Sequence, residues 1–427
     1  MQHQILKKYF GFITMKNHQS TLIIGGSIVG ATLALKLAKA CHPVTLIDAR
    51  PKLSQADWEQ KLAQRDARVY ALSLASINLL KDVGAWQRIE HGGRKVDYAQ
   101  MHVWQKDGKG ELRFADDDDT DILGSMVEPF IIEKSLYDGF ADDDVQPFLT
   151  HIAGHQVVDM AWQGEQAGHQ ITLDNGDTHQ AKLLIGADGR QSFVRQHAGI
   201  RLDVLDYQQT AICCAIKTEK THQATARQLM LPTGTLALLP LADVSKTDQA
   251  NPHHWQSVVW TLPTNMALDL LMLSPIELAK ELAFASGYEL GNIEQIDSIA
   301  SFALTAQHAN GYAKPNLVLV GDSAHGVHPL AGQGLNLGML DIMALTAVLQ
   351  TDFKRSGGKL WAEFATLQRY ERERYANNAM MMHSFSMINW LFASQLRPVQ
   401  YVRSEAVSLI GQIKPVMRFF KRQASGV

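Results

Sequence analysis

Cysteine is scarce: three residues in 427, Cys41, Cys213 and Cys214. Three thiols cannot build a disulfide framework, and their spacing matches no metal-ligand set, so a reducing, cytoplasmic setting is the expectation. Net charge is nearly absent as well, −3 from 40 Lys+Arg against 43 Asp+Glu. A chain dedicated to nucleic acid would be clearly basic, and that partner is excluded. No run of 18 or more apolar residues occurs, so no segment reads as a membrane span. The apolar patch Tyr9–Thr14 is too short for a signal-peptide core and lacks a small-residue cleavage site. Residues 1–18 read as a poorly ordered leader, with the true start at Met1 or Met15. Fixed-period repeats and long low-complexity segments are also missing.

What remains is an ordinary globular composition, 46% hydrophobic and 19% charged, with length enough for two or three domains. Thr21–Gly25 is an apolar, β-branched run that predicts a buried parallel strand. Ile28–Ala40 carries Val29, Leu33, Leu37 and Ala40 at helical spacing, and Val44–Ile47 is a second strand. Together they predict a βαβ nucleotide-binding unit. Further on, the pattern predicts a helix within Ser73–Trp86 that ends near Gly84, and a hairpin within 99–125 around Lys106–Gly110. Asp116–Asp119 and Asp121 read as a solvated loop. Strands are expected at Lys182–Gly186, Thr235–Leu241, Ser257–Leu262 and Leu317–Val320, a helix at Pro275–Ser286, and helix from Gly338 nearly to the end. The expected fold class is α/β, a Rossmann-like domain interrupted by a mostly antiparallel sheet, with C-terminal helices.

Three motifs carry chemistry. Gly25-Gly26-Ser27-Ile28-Val29-Gly30 joins strand to helix. Its glycines suit a tight turn and close approach of a pyrophosphate to a helix N-terminus. Asp48 follows 18 residues after Gly30, where a carboxylate can accept from ribose hydroxyls. The second motif is Ile185-Gly186-Ala187-Asp188-Gly189-Arg190; by itself it is also a common Asp-Gly turn. The third runs from Val320-Gly321-Asp322-Ser323-Ala324-His325 to His328-Pro329-Leu330-Ala331-Gly332-Gln333-Gly334-Leu335-Asn336. A buried strand there delivers Asp322 to a sheet edge, and a glycine-rich loop opens a helix whose free N–H groups favour negative charge.

In this order and at these separations the motifs resemble the class A FAD-dependent monooxygenases of the p-hydroxybenzoate hydroxylase superfamily. More closely, they look like the ubiquinone-biosynthesis hydroxylases. Asp66-Ala67-Arg68, Ala71-Leu72-Ser73, Tyr207–Ala211, Gly234–Leu241, His308-Ala309 and Tyr370–Arg374 through Asn378 and Arg403 to Ala424–Gly426 extend the resemblance over roughly residues 19–426. It implies that Gly25, Gly26, Ser27 and Gly30 hold the FAD pyrophosphate, Asp48 the adenosine ribose, and Asp322 the ribitol. Arg68 would lie against the cofactor, and Asp188 with Gly189 would serve FAD and the passing nicotinamide. Pro329 and the backbone of Gly332, Gln333, Gly334, Leu335 and Asn336 would surround the flavin ring. Two positions depart from the family pattern: Ser27 replaces its second glycine, and Glu128-Pro129 replaces Glu-Asn.

The resemblance further implies an aromatic-ring hydroxylase using NAD(P)H and O2 through a C4a-hydroperoxyflavin, acting on a polyprenylated phenol. A soluble-phenol hydroxylase, another flavin oxidoreductase, and an inactive FAD-binding subunit of a quinone-biosynthesis complex remain as alternatives. No second GxGxxG unit offers NAD(P)H a domain of its own, and no Ser or Cys triad or metal cluster is found. His328, next to Pro329, is the candidate for a substrate-side or proton-relay role. The implied division is an FAD-binding domain from 19–97, 126–199 and 302–350, a substrate domain from 98–125 and 200–301, and a helical region 351–427. In that last region Arg397–Arg422 places six basic residues among Leu409, Ile413, Met417 and Phe420. This segment reads either as a peripheral contact with the inner face of the membrane or with a partner, or as a helix packed on the body with snorkelling basic ends.

Overall fold

The computed structural model describes residues 20–105, 111–115, 122–244, 248, 250–326 and 333–393. The leader, the tips at Lys106–Gly110 and Asp116–Asp121, His328, Pro329, Gly332 and the whole of 397–422 lie outside the described residues.

Two sheets organise the molecule. The first has six strands in the order Ala313–Lys314, Leu317–Leu319, Leu183–Gly186, Thr21–Ile24, Val44–Asp48, Leu149–Ala153. All neighbours but the first pair run parallel. Its central strands are buried throughout and mostly apolar, as strands covered on both faces are. The helix Ile28–Lys39 packs on it. A single apolar stripe was expected there, yet nine of its residues are buried, including Ala31, Ala34 and Ala38 beside Leu33 and Leu37. Small residues let this helix sink between the sheet and the helices Pro129–Gly139 and Gln333–Arg355.

The second sheet has eight strands and is antiparallel except where Thr225–Leu231 pairs with Gln100–Gln105. Its spine is a pair of 17-residue strands, Leu202–Thr218 and Ile293–Ala309, the latter running through position 301. The register between them shifts near Asp206/Gln209, Cys213/Ala215 and Lys217/Thr218. Such bulges bend a long strand and re-aim its side chains. Ile212, Cys214 and Ile216 face the helices Thr264–Leu271 and Pro275–Ala285. On the other face, Ala211, Cys213 and Leu304 pack with Ala67 toward the first sheet.

The helix expected to end near Gly84 does so: Leu74–Asp82 stops just before it, Gly84 takes a φ of 78°, and a second helix, Ala85–Gly92, carries Trp86. One helical expectation needs correction. Helix does not continue unbroken after Gly338: Gln333–Arg355 and Phe364–Ala393 are separate, and the break between them contains Gly357 and Gly358, both at positive φ. Gly334–Arg355 has the length and hydropathy to cross a membrane, but 61% of its apolar window is buried in the fold.

Candidate active site

The Gly25–Gly30 turn leaves the end of the first strand. Gly25 sits at φ 106°, and a Cβ there would lie 2.3 Å from the Ala187 carbonyl oxygen. This positive φ and close approach are what require glycine. Ser27, at the third position, is the N-cap of the following helix but makes no cap hydrogen bond. Its side chain is exposed, and its Oγ donates to Glu133 Oε1 at 3.0 Å.

Asp48 is buried at the end of the Val44–Asp48 strand. Its carboxylate accepts from the Arg50 backbone N–H at 3.0 Å and from Arg50 Nη2 at 3.0 Å. Tyr137 Oη lies 2.9 Å from Asp48 Oδ2 and 2.8 Å from the Gly26 carbonyl oxygen. Arg50 Nη1 also reaches Glu133 at 2.9 Å. Burial, with Asp48 alongside, pushes the Tyr137 hydroxyl above its ordinary pKa, so it remains a neutral donor. Arg50, Glu133 and Tyr137 were not found from the sequence. Arg50 stands two residues after Asp48, but nothing local marks the other two, which arrive from a distant helix. Beside them a groove of about 1020 Å³ is lined by Arg50, Lys52, Trp58, Lys61, Tyr137 and His151 among others.

Asp188 follows the Leu183–Gly186 strand. Its Oδ2 accepts from the Val194 N–H at 3.1 Å, while Oδ1 is buried without a protein partner. Burial raises its carboxyl pKa, against the nearby N–H and O–H donors. Gly189, at φ 78°, lies on the adjoining cleft.

Asp322 stands in the short turn Gly321–Ser323 after Leu317–Leu319. It keeps solvent access from the cleft, yet protein surrounds it, and that desolvation raises its pKa against the pull of His325 and Arg190. Its backbone is held from several sides. Gln307 Nε2 donates to the Asp322 carbonyl oxygen at 2.9 Å, and Arg195 Nη1 to that of Ser323 at 3.0 Å.

These segments converge on one cleft of about 400 Å³ between the sheets. Ser27, Arg68, Gly189, Asp322, Gly334 and Leu335 line one side; Ala211, Cys213, Ala237, Leu239, Val259 and Phe302 line the other. The Arg68 guanidinium sits 5.0 Å over the Phe302 ring. Burial lifts the Cys213 thiol to about 11, so it is a neutral wall and no nucleophile. Gln333 opens the helix behind the cleft. Asn336 is turned elsewhere: its Oδ1 accepts from Ser73 N and Ser76 Oγ, and its Nδ2 donates to the Ala71 carbonyl oxygen at 2.8 Å. Glu128 spans Arg94 and the Asp66 N–H, and Pro129 takes the first helical position, where a missing N–H costs nothing.

A glycine turn that a Cβ would fill, a carboxylate at the end of the next strand, and an orphaned acceptor at Asp188 suit a dinucleotide laid across the strand ends. Residues 18–384 match the family model described as an FAD binding domain. Over 384 residues the chain is 33% identical to the 3-demethoxyubiquinol 3-hydroxylase of Escherichia coli, covering 90% of this chain and 92% of that protein. The chain belongs to the ubiquinone-biosynthesis family of FAD-dependent monooxygenases. The ubiquinone hydroxylase UbiL of Rhodospirillum rubrum is likewise 33% identical, over 95% of this chain and 89% of its own. In fold, the chain resembles p-nitrophenol 4-monooxygenase PnpA of Pseudomonas putida, with a TM-score of 0.71 at 17% identity over 95% and 98% of the two chains. FAD is therefore the cofactor, NAD(P)H is the co-substrate typical of the family, and monooxygenation is the class of reaction.

Proposed function

We propose that this protein hydroxylates the aromatic ring of a polyprenylated phenol in ubiquinone biosynthesis, using NAD(P)H and O2. The observation that carries the reading is the single cleft in which the segments around 27, 189 and 322 face an apolar sheet wall. In this reading Gly25, Gly26, Ser27 and Gly30 hold the pyrophosphate, Asp48 the adenosine ribose, and Asp322 the ribitol. Asp188 offers its unpaired oxygen to the cofactor or to the passing nicotinamide beside Gly189. Arg68 flanks the ring system, and the resemblance would add Pro329 and the backbone of 332–336 around it. The chain divides into interleaved FAD-binding and substrate domains near the boundaries given above, except that the strand Ile293–Ala309 carries the substrate sheet past 301.

Bound FAD supplies the reduction and oxygen-activation chemistry. The protein's part is to orient the ring and exclude water. Ala211, Cys213, Ala237 and Val259 offer the substrate no formal charge, which fits a neutral ring. The cleft, of about 400 Å³, is bounded by both the candidate cofactor residues and this apolar wall, so the ring would lie between them. A substrate with a polyprenyl tail resides in a bilayer, which would bring the enzyme to the inner membrane face, with 397–422 as the contact.

Quinone profiling of a strain lacking this gene is the test. The reading expects a prenylated intermediate one oxygen short of the product, cleared by the wild-type gene and not by Asp322→Ala. An unaltered quinone pool in the deletion strain would overturn it.

A further inference from the structure

Behind the Gly321–Ser323 turn lies a buried polar cluster for which the cofactor contacts named above have no use. Asp341, in the helix Gln333–Arg355, is 0% exposed. Its Oδ2 accepts from the Gly321 N–H at 2.9 Å and lies 2.5 Å from His325 Nε2. Its Oδ1 accepts from Arg374 Nε at 2.8 Å and Asn378 Nδ2 at 3.2 Å. Arg374 and Asn378 are themselves buried and come from the separate helix Phe364–Ala393. Arg374 Nη2 donates to Asn378 Oδ1 at 2.7 Å, which fixes the two against each other.

Stability alone does not account for the cluster. Desolvating a carboxylate and a guanidinium costs about as much as their attraction returns, so a well-packed apolar group would serve as well. A carboxylate surrounded by four donors from two chain segments, 321–325 and the helix Phe364–Ala393, does define a geometry. Gly321 takes φ 59°, and a Cβ there would meet Val29 at 3.2 Å, so the turn is tightly shaped before it presents Asp322. Gln307 and Arg195 grip the carbonyl oxygens of 322 and 323, and Asp341 grips the N–H of 321. His325, on the same carboxylate, precedes Gly326, which lines the cleft.

We propose that Asp341 is a positioning residue for the cofactor site: it sets the turn that presents Asp322, and through Arg374 and Asn378 it makes the helix Phe364–Ala393 part of that site. The inference rests on the reading of Asp322 as a flavin contact.

The test uses purified full-length enzyme stripped of FAD and reloaded, reading FAD affinity by fluorescence quenching, flavin midpoint potential and thermal unfolding. Asp341→Asn puts an amide N–H among donors and is expected to weaken FAD binding about tenfold, roughly 1.4 kcal/mol, and to shift the potential. Where its unpaired Arg374 prevents folding, Arg374→Met and Asn378→Ala carry the test with the same expected direction. Arg374→Lys, which keeps the charge, should restore affinity to within about threefold of wild type, well under the tenfold step. Folded Arg374→Met and Asn378→Ala with wild-type affinity and potential would overturn the positioning role while Asp322→Ala still loses FAD. If Asp322→Ala also binds FAD normally, the reading of the turn itself fails, and the positioning role with it.

Discussion

Gly26 shows how little room the nucleotide turn leaves. A Cβ on it would stand 2.3 Å from Asp48 Oδ2 and 2.7 Å from its Cγ. Gly26→Ala must therefore displace the carboxylate, and a FAD titration should show affinity reduced about fivefold or more if an overpacking cost of about 1–3 kcal/mol falls on the bound state. Ser27→Gly should move affinity little, because the exposed Ser27 side chain leans on Glu133. His42 makes a prediction of another kind. It stacks on Trp361 at 4.2 Å with Nδ1 buried and unpartnered, and burial lowers its pKa to about 4 from 6.5. Because the folded value is the lower one, the unfolded chain takes up the proton first. This contribution is intact above about pH 6.5 and is lost as pH falls toward 4, amounting to about 2 kcal/mol at pH 5. Denaturant titrations at pH 7 and pH 5 should show the loss in wild type and a smaller one in His42→Phe. The placement of the glycines and of the acids that follow strands was legible in the sequence, because it depends on local geometry. Tyr137, Glu133, Asp341 and Arg374 were not, because each acts on a segment tens of residues away.

Among the elements, the strand-turn-helix units were read correctly wherever a continuous apolar run met glycine. The long strands Leu202–Thr218 and Ile293–Ala309 were harder to read. Their bulges shift the alternation part-way along, so no single period of two describes them. The break after Arg355 was missed because apolar residues resume at helical spacing beyond Gly357-Gly358. The segment 65–68, which carries Arg68 to the cleft, shows what holds elements together. Arg65 pairs with Asp248 at 2.5 Å and lies over Trp255, while Glu128 accepts from the Asp66 N–H and binds Arg94. Glu128→Ala would strand Arg94 in a buried site and should cost about 3–5 kcal/mol in urea unfolding, as broken buried pairs do. Asp82→Ala, which removes the exposed partner of Lys36, should cost at most about 1 kcal/mol in the same assay.

At the scale of the molecule, the proposed cofactor site belongs to no contiguous stretch of chain. Residues near 25, 188 and 322 meet because the strands Thr21–Ile24, Leu183–Gly186 and Leu317–Leu319 are neighbours in one parallel sheet. The second sheet closes over them, and Gln307 and Ser257 tie it back to Asp322 and Ala67. In this arrangement the chain contributes an apolar wall and polar donors on opposite sides of one cleft. The most direct measurement is turnover of a short-chain prenylated phenol by the FAD-loaded enzyme with NAD(P)H under ¹⁸O2, with the product read by mass spectrometry. The account predicts substrate-stimulated NAD(P)H oxidation and one labelled oxygen atom on the ring. Full FAD occupancy with NAD(P)H oxidation indifferent to every prenylated phenol, and no label in the ring, would contradict it.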